Sequence, residues 1–319
     1  MSLTRSPVKP SRGKQGLSLG LGLLLSSSLL AADYGAGIGN SEWRATEPSP
    51  LYCELTHSIP DMGTARFTHR SGEDLKFFLE PLGQPLRIGT ADLMALPPNW
   101  KPGDAPLDLG KVRVGAGEEG VRVGSKQAHL MIEALTQGLN PTFMQTPRDS
   151  RYAPVRGSLS ALNFKPVYFD YIACRGELLP VNFDQIARST VIFPGGGFDL
   201  TADDKERLSL IVRYIKADPS VKYVFLDGHS DSYGSRRDNR KLSKQRTDTV
   251  LNYLLDVGLD DKMVTARYHG ERYPIVPNTT KANRAKNRRV TIRLEREGLA
   301  PGDPNTLNEY SGEFNGQLQ

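Results

Sequence analysis

The apolar pattern of this chain changes period near residue 190, and no single sheet or helical bundle accommodates both halves. Up to that point, short apolar runs at residues 65–68, 75–79, 111–114, 155–162 and 167–172 are split by glycine and proline, as short strands are. Only residues 127–136 keep a helical spacing, with Leu130, Ile132, Ala134 and Leu135 crowding one side. The stretch from Leu96 to Asp104 holds three prolines around Trp100, which predicts a rigid loop rather than a central strand. Residues 33–190 are therefore expected to form an antiparallel β domain.

Past Ser189, strands and helices alternate. Residues 191–193 read as a strand stopped by Pro194 and three glycines, and Thr201 caps a helix carrying Leu208, Ile211, Val212 and Ile215 that ends at Asp218-Pro219. Residues 222–227 are a continuous apolar strand of the kind buried on both faces, and residues 239–257 form a second helix closed by Gly258. Strands at 263–268 and 289–294 complete the order βαβαββ, an α/β sandwich over residues 191–296 with helices packed on one mixed sheet. The chain as a whole is expected to be α+β. Residues 297–319 turn to Gly, Pro, Asn and acid with few apolar residues and read as a flexible acidic tail.

Residues 1–32 fit neither half. Arg5, Lys9, Arg12 and Lys14, with no acid among them, precede the apolar run 17–30 and then Ala31-Ala32. That is the layout of a secretory signal peptide, and the run is shorter than the roughly 20 residues a membrane helix needs, so no membrane span is expected in the mature form. No Cys follows it, which excludes an acyl-Cys anchor. Export bears on Cys53 and Cys174, the only two cysteines of the 319 residues. An even pair in an exported chain reads as a disulfide, worth about 4–5 kcal/mol for a loop of that length, with two unpaired buried thiols as the alternative. The formal net charge of +5 is also uneven: four positive charges leave with residues 1–32, and residues 191–296 carry +7. That excess suits an anionic partner.

The second helix holds the anomaly that points to a site. Its apolar stripe runs Leu242, Val250, Tyr253, Leu254 and Val257, and the inward position four residues after Leu242 is Arg246. A buried guanidinium must be paired or face a wet cleft, because an isolated buried charge costs several kcal/mol. Asp231, in the loop leaving the central strand, is the nearest candidate partner. Two readings stay open on the residues alone: a structural salt bridge, or a zwitterion clamp in which Arg246 grips a carboxylate and Asp231 takes an ammonium. Asn239 is placed to cap the second helix and offer an amide. In the basic run, alternation turns Arg288 inward and Arg289 and Arg293 outward.

Other motifs lead away from catalysis. Gly115-Ala-Gly117-Glu-Glu-Gly120 fits a dinucleotide fingerprint, yet a second strand follows it and acids stand where a pyrophosphate would sit, so a hairpin turn is expected. His229, Ser230 and Asp231 are consecutive and cannot converge as a triad, and His229, Asp231 and His269 lack metal-site spacing. No catalytic residue, metal or cofactor is expected, and the aromatics of a single-strand nucleic-acid binder are missing from the basic run.

Several motifs taken in order, Gly228-His229-Ser230-Asp231, Asn239-Arg-Lys-Leu242-Ser243-Lys-Gln-Arg246, Gly270-Glu-Arg-Tyr-Pro274, Asn278 and Asn287-Arg288-Arg289-Val290, resemble the peptidoglycan-binding domain of the OmpA C-terminal family. The resemblance implies that Asp231 and Arg246 bind the diaminopimelate end of the wall's stem peptide, with Asn239, Asn287, Arg288 and Arg289 as further contacts. One departure stands out: Phe193 is followed by Pro194 and three glycines where that family often has an acid. In the first half, Leu51-Tyr-Cys53-Glu-Leu55, Ile59-Pro60, residues 96–103 and Cys174 resemble the MotY family of periplasmic flagellar T-ring proteins. That resemblance implies a periplasmic, non-enzymatic motor component, docked on the basal body through residues 33–190 beside stator or other T-ring proteins, with its two cysteines bonded. A generic wall-anchored envelope protein is the alternative.

Overall fold

A computed structural model describes residues 1–2, 32–100, 103, 105–146 and 153–297. Most of the expected export segment, the tail beyond 297 and part of the Trp100 loop lie outside them.

The first half is built on one ten-stranded sheet. Its strands are β1 (Ala32–Gly35), β2 (Trp43–Ala45), β3 (Tyr52–Ile59), β4 (Gly63–Arg70), β5 (Lys76–Pro81), β6 (Gly89–Leu96), β7 (Leu107–Val114), β8 (Val121–Val123), β9 (Asn140–Gln145) and β10 (Val155–Ser158). They lie in the order β1-β10-β9-β6-β7-β8-β5-β4-β3-β2. Every neighbouring pair is antiparallel except β1 on β10. The alternation of β3 to β6 puts Leu55, Phe67, Phe77, Leu79 and Leu93 on one face. Two helices cover that face, α1 (Ser125–Gln137) and α2 (Phe164–Glu177). The glycine motif at 115–120 is the turn of the β7–β8 hairpin, closed by Gly115 N–H donating to Gly120 O.

Helix α2 corrects the strand expected at 167–172. Its aromatic and β-branched run mimics a strand, but the buried residues Phe164, Tyr171 and Cys174 recur at helical spacing. Pro166 falls in the first turn, where its missing N–H breaks no intrahelical bond. The helix carries Cys174 to Cys53 of β3, and the two form a disulfide with Cα atoms 6.0 Å apart. The free-thiol alternative is thereby removed.

The second half begins with the short helix α3 (Phe183–Ile186) and strand β11 (Arg188–Ile192), followed by α4 (Ala202–Ala217), β12 (Val221–His229), α5 (Arg236–Asp256), β13 (Val264–Gly270), α6 (Lys281–Asn287) and β14 (Arg289–Arg296). The sheet order is β11-β14-β12-β13, with β12 and β13 parallel and the other pairs antiparallel. Thr201 caps α4 in a reciprocal box with Asp204. Leu208, Ile211, Val212 and Ile215 of α4 and Val250 and Leu254 of α5 meet Val224, Leu226, Val290 and Ile292 of the sheet in a second core. Among the described residues, no helix is long and apolar enough to cross a membrane.

Strand β12 is not buried on both faces. Val224 and Leu226 face the helices, while Phe225 and Asp227 are only partly covered. The guanidinium groups of Arg267 and Arg293 stand 5.5 and 4.7 Å from the Phe225 ring centre, so long basic side chains take the place of a second helical layer. Gly228 sets how closely α5 approaches: a Cβ there would fall 1.9 Å from Thr247 Oγ1 and 2.6 Å from the Ser243 carbonyl. Only glycine lets the polar half of α5 lie against the end of β12.

Candidate functional site

Where β12 ends and α5 begins, the buried face of α5 changes character. Its last two turns bury Val250 and Leu254, whereas its first half buries Asn239, Ser243, Arg246 and Thr247. Ser235 caps the helix by accepting from Asp238 N–H at 3.1 Å, so the cap expected at Asn239 moves four residues upstream. Asn239 instead sits inside the helix and donates to Glu271 Oε2 at 2.6 Å.

Arg246 is fully buried, as the stripe predicted. Its donors go to backbone carbonyls: Nε to Gly197 at 3.0 Å, Nη2 to Gly195 at 2.9 Å and Nη1 to His229 at 3.4 Å. The guanidinium also lies 5.3 Å from the Phe193 ring centre. Burial, with the positive charge of Arg288 nearby, lowers its pKa to about 10, against a smaller opposing pull from Asp231. It remains charged at any physiological pH.

The ion pair of Asp231 is with Arg288, not Arg246. Arg288 Nη1 lies 2.9 Å from Asp231 Oδ2, and Oδ1 accepts from Tyr233 N–H at 3.2 Å. The remaining donors of Arg288 go to the carbonyls of Phe193 and Pro194 at 2.9 and 2.8 Å. Strand β14 lies between β11 and β12, which brings Arg288 at its entrance beside both strand ends. Asp231, Arg288 and Arg246 thus form one cluster at this end of the sheet, partly roofed by the glycine loop 195–197.

Asn287 and Arg289 hold this end of the fold from behind. Asn287 is fully buried; its Oδ1 accepts from Ile275 and Val276 N–H at 2.9 and 3.3 Å, and its Nδ2 donates to Val276 O and Asn278 Oδ1 at 2.8 and 2.9 Å. Asn278 Oδ1 in turn accepts from Ser232 N–H at 3.4 Å, beside Asp231. Arg289, expected outward, is 6% exposed and donates to Tyr273 O at 3.1 Å. Alternation does turn it away from the helices, but the 273–276 segment covers it there. Burial lowers its pKa to about 10, opposed in part by Asp227.

His229 and His269 stack with ring centres 5.0 Å apart. His269 bonds Asp227 at 2.8 Å, so it is directed away from Asp231 and makes no metal site with it. Burial would raise the Asp227 pKa, but hydrogen bonds from His269 and Arg267 outweigh it and hold the group at about 2. Sequence reasoning missed the two loop carbonyls on Arg246 and the role of Glu271. The three consecutive glycines signalled the first, and Gly270-Glu271 the second.

Residues 192–288 match the OmpA family, and this half is an OmpA-family domain. Residues 34–180 match the MotY N-terminal domain, so the chain carries a MotY N-terminal domain followed by an OmpA-family domain. It is 28% identical over 286 residues to the sodium-type flagellar protein MotY of Vibrio parahaemolyticus, covering 88% of this chain and 96% of that one. It is 35% identical over 102 residues to the peptidoglycan-binding protein ArfA of Mycobacterium bovis, covering 32% and 31% of the two chains. Among solved structures it is similar to the C-terminal domain of Helicobacter pylori MotB, with 22% identity, 37% of this chain and 88% of that one covered, and a TM-score of 0.32.

Proposed function

We propose that this chain is a non-catalytic, periplasmic part of the flagellar motor that grips peptidoglycan with residues 191–296 and the basal body with residues 33–190, helping to place and hold stator units. The observation that carries the wall-binding half is the cluster of buried Arg246 and Asp231 with partly buried Arg288 at one end of the OmpA-family sheet. The likeness to a flagellar MotY over 96% of that relative's length supports the motor half.

The diaminopimelate end of a stem peptide carries both an ammonium and a carboxylate. Arg246 supplies a planar fork for the carboxylate, with its charge already desolvated. Asp231 keeps acceptor sites for the ammonium beyond those used by Arg288 and Tyr233 N–H, since a carboxylate offers about four. Asn239, Asn287 and Arg289 act by positioning the loops around this pair. The net +7 of residues 191–296 attracts an anionic wall at long range, an effect that weakens with salt.

Purified sacculi provide the test. Wild-type protein should pellet with them, and the Asp231→Ala and Arg246→Ala variants should stay in the supernatant; pelleting equal to wild type rejects the clamp. For the motor assignment, deletion of the gene should abolish or slow swimming, and unchanged swimming favours a general envelope anchor.

A further inference from the structure

We propose that the glycine loop 195–197 is a displaceable lid: its carbonyls occupy the donors of Arg246 that a ligand carboxylate would take, so the wall peptide reaches this arginine only when the loop swings aside. The inference rests on the wall-binding reading above and concerns how that site is opened.

Three observations converge on it. First, Arg246 has no exposed surface, and two of its three carbonyl partners, Gly195 and Gly197, belong to this one loop. A carboxylate arriving from solvent must replace them.

Second, the lid is built to leave. Residues 194–199 are all exposed. Pro194 is tied down by Arg288, and Thr201 is tied to α4 by its capping box with Asp204, so the span between these anchors is free to hinge. Arg288 keeps its bond to Asp231 while the span moves.

Third, the loop does not need glycine where it lies. None of the three has a positive φ. An added Cβ would meet nothing within 4 Å at Gly196, only Gly197 N at 4.0 Å from Gly195, and only Asp199 Oδ2 at 3.9 Å from Gly197. Alanine fits this placement, and each glycine makes ordering the loop more costly than alanine would. Three in a row therefore bias the loop toward leaving. The exchange also gains in strength, because a guanidinium bonded to neutral carbonyls would receive a charge-assisted, bidentate partner instead.

The test compares the full-length wild type with the triple variant Gly195→Ala/Gly196→Ala/Gly197→Ala, using a purified muropeptide whose stem ends in diaminopimelate. Because alanine favours the ordered loop, the variant should melt at the same temperature or higher, yet bind with a Kd raised about tenfold and a reduced association rate. In the wild type, muropeptide should shift the Arg246 Nε–H resonance together with the amide resonances of residues 195–198, whose carbonyls leave the guanidinium. Equal Kd and association rate for the two proteins, or an unshifted Arg246 signal at saturation, overturns the lid while leaving wall binding intact. Failure of both proteins to bind the muropeptide overturns the wall-binding reading and the lid together.

Discussion

The two halves bury different things. In the first, Trp43, Phe67, Phe77 and Phe143 run through the core as a chain of rings with centres 6.3, 4.8 and 5.7 Å apart, and a disulfide ties the sheet to α2. In the second, the four-stranded sheet buries Asp231, Asn239, Ser243, Arg246, Thr247, Asn287 and Arg289, all near one end. A chain that only had to fold would gain by filling those positions with apolar residues, since a buried ion pair seldom beats well-packed hydrocarbon. The first half is organised for rigidity, and the second gives up some stability to hold a charged constellation in place.

The largest test of this contrast is removal of the covalent tie. The double variant Cys53→Ser/Cys174→Ser should lose about 4–5 kcal/mol, in keeping with a closed loop of 121 residues. Calorimetry should show the loss in the transition of the first half, with that of the OmpA-family half unmoved. If both transitions shift equally, the halves unfold as one unit and the contrast fails.

A smaller effect is expected in the other half. Asn287→Ala strips the partners from Ile275 N–H, Val276 N–H and Val276 O and should cost about 2–3 kcal/mol in urea unfolding. It should also weaken sacculus binding by freeing the loop beside Asp231. A variant that loses stability but pellets like wild type would separate Asn287 from the site.

The smallest concerns acid. Burial, reinforced by Arg289 and His269, lowers the His229 pKa from 6.5 to about 3, so the folded chain keeps it neutral while the unfolded chain protonates it. Below pH 6.5 the unfolded state binds the extra proton, so stability falls by roughly 2 kcal/mol between pH 7 and pH 5. Asp227, held at about 2, adds further loss only below about pH 4. His57 in the first core is lowered by burial as well, so the informative quantity is the pH 7 to pH 5 difference in urea midpoint for wild type against His229→Asn. An unchanged difference would show that His229 carries none of the slope.

Features governed by local chemistry were legible in the sequence. Thr201 and Asp204 announce the start of α4, and the inward place of Arg246 follows from counting along α5. Features governed by long-range register were not. Asp231 is 15 residues from Arg246 but 57 from Arg288, and only the insertion of β14 between β11 and β12 reverses their order in space. The 167–172 run has the composition of a strand, while its burial follows a helix, and tertiary packing alone decides between them. Helix α5 starts at Arg236, ahead of the expected residue 239, because Arg236 and Arg237 add a turn that carries no apolar pattern, while Ser235 and Asp238 supply the cap.

The route between the halves has a mechanical consequence. Leu51 packs against the second core two residues before Cys53, and Leu179 joins that core five residues after Cys174. The two segments are tied where they pass, with Leu179 N–H donating to Pro50 O at 2.8 Å and Gly72 N–H to Leu179 O at 3.1 Å. A pull on the OmpA-family half therefore enters the large sheet at the two ends of one covalent bond. Load arriving there is shared between β3 and α2 at once, and peeling a single strand from the sheet is not the first mode of failure open to it.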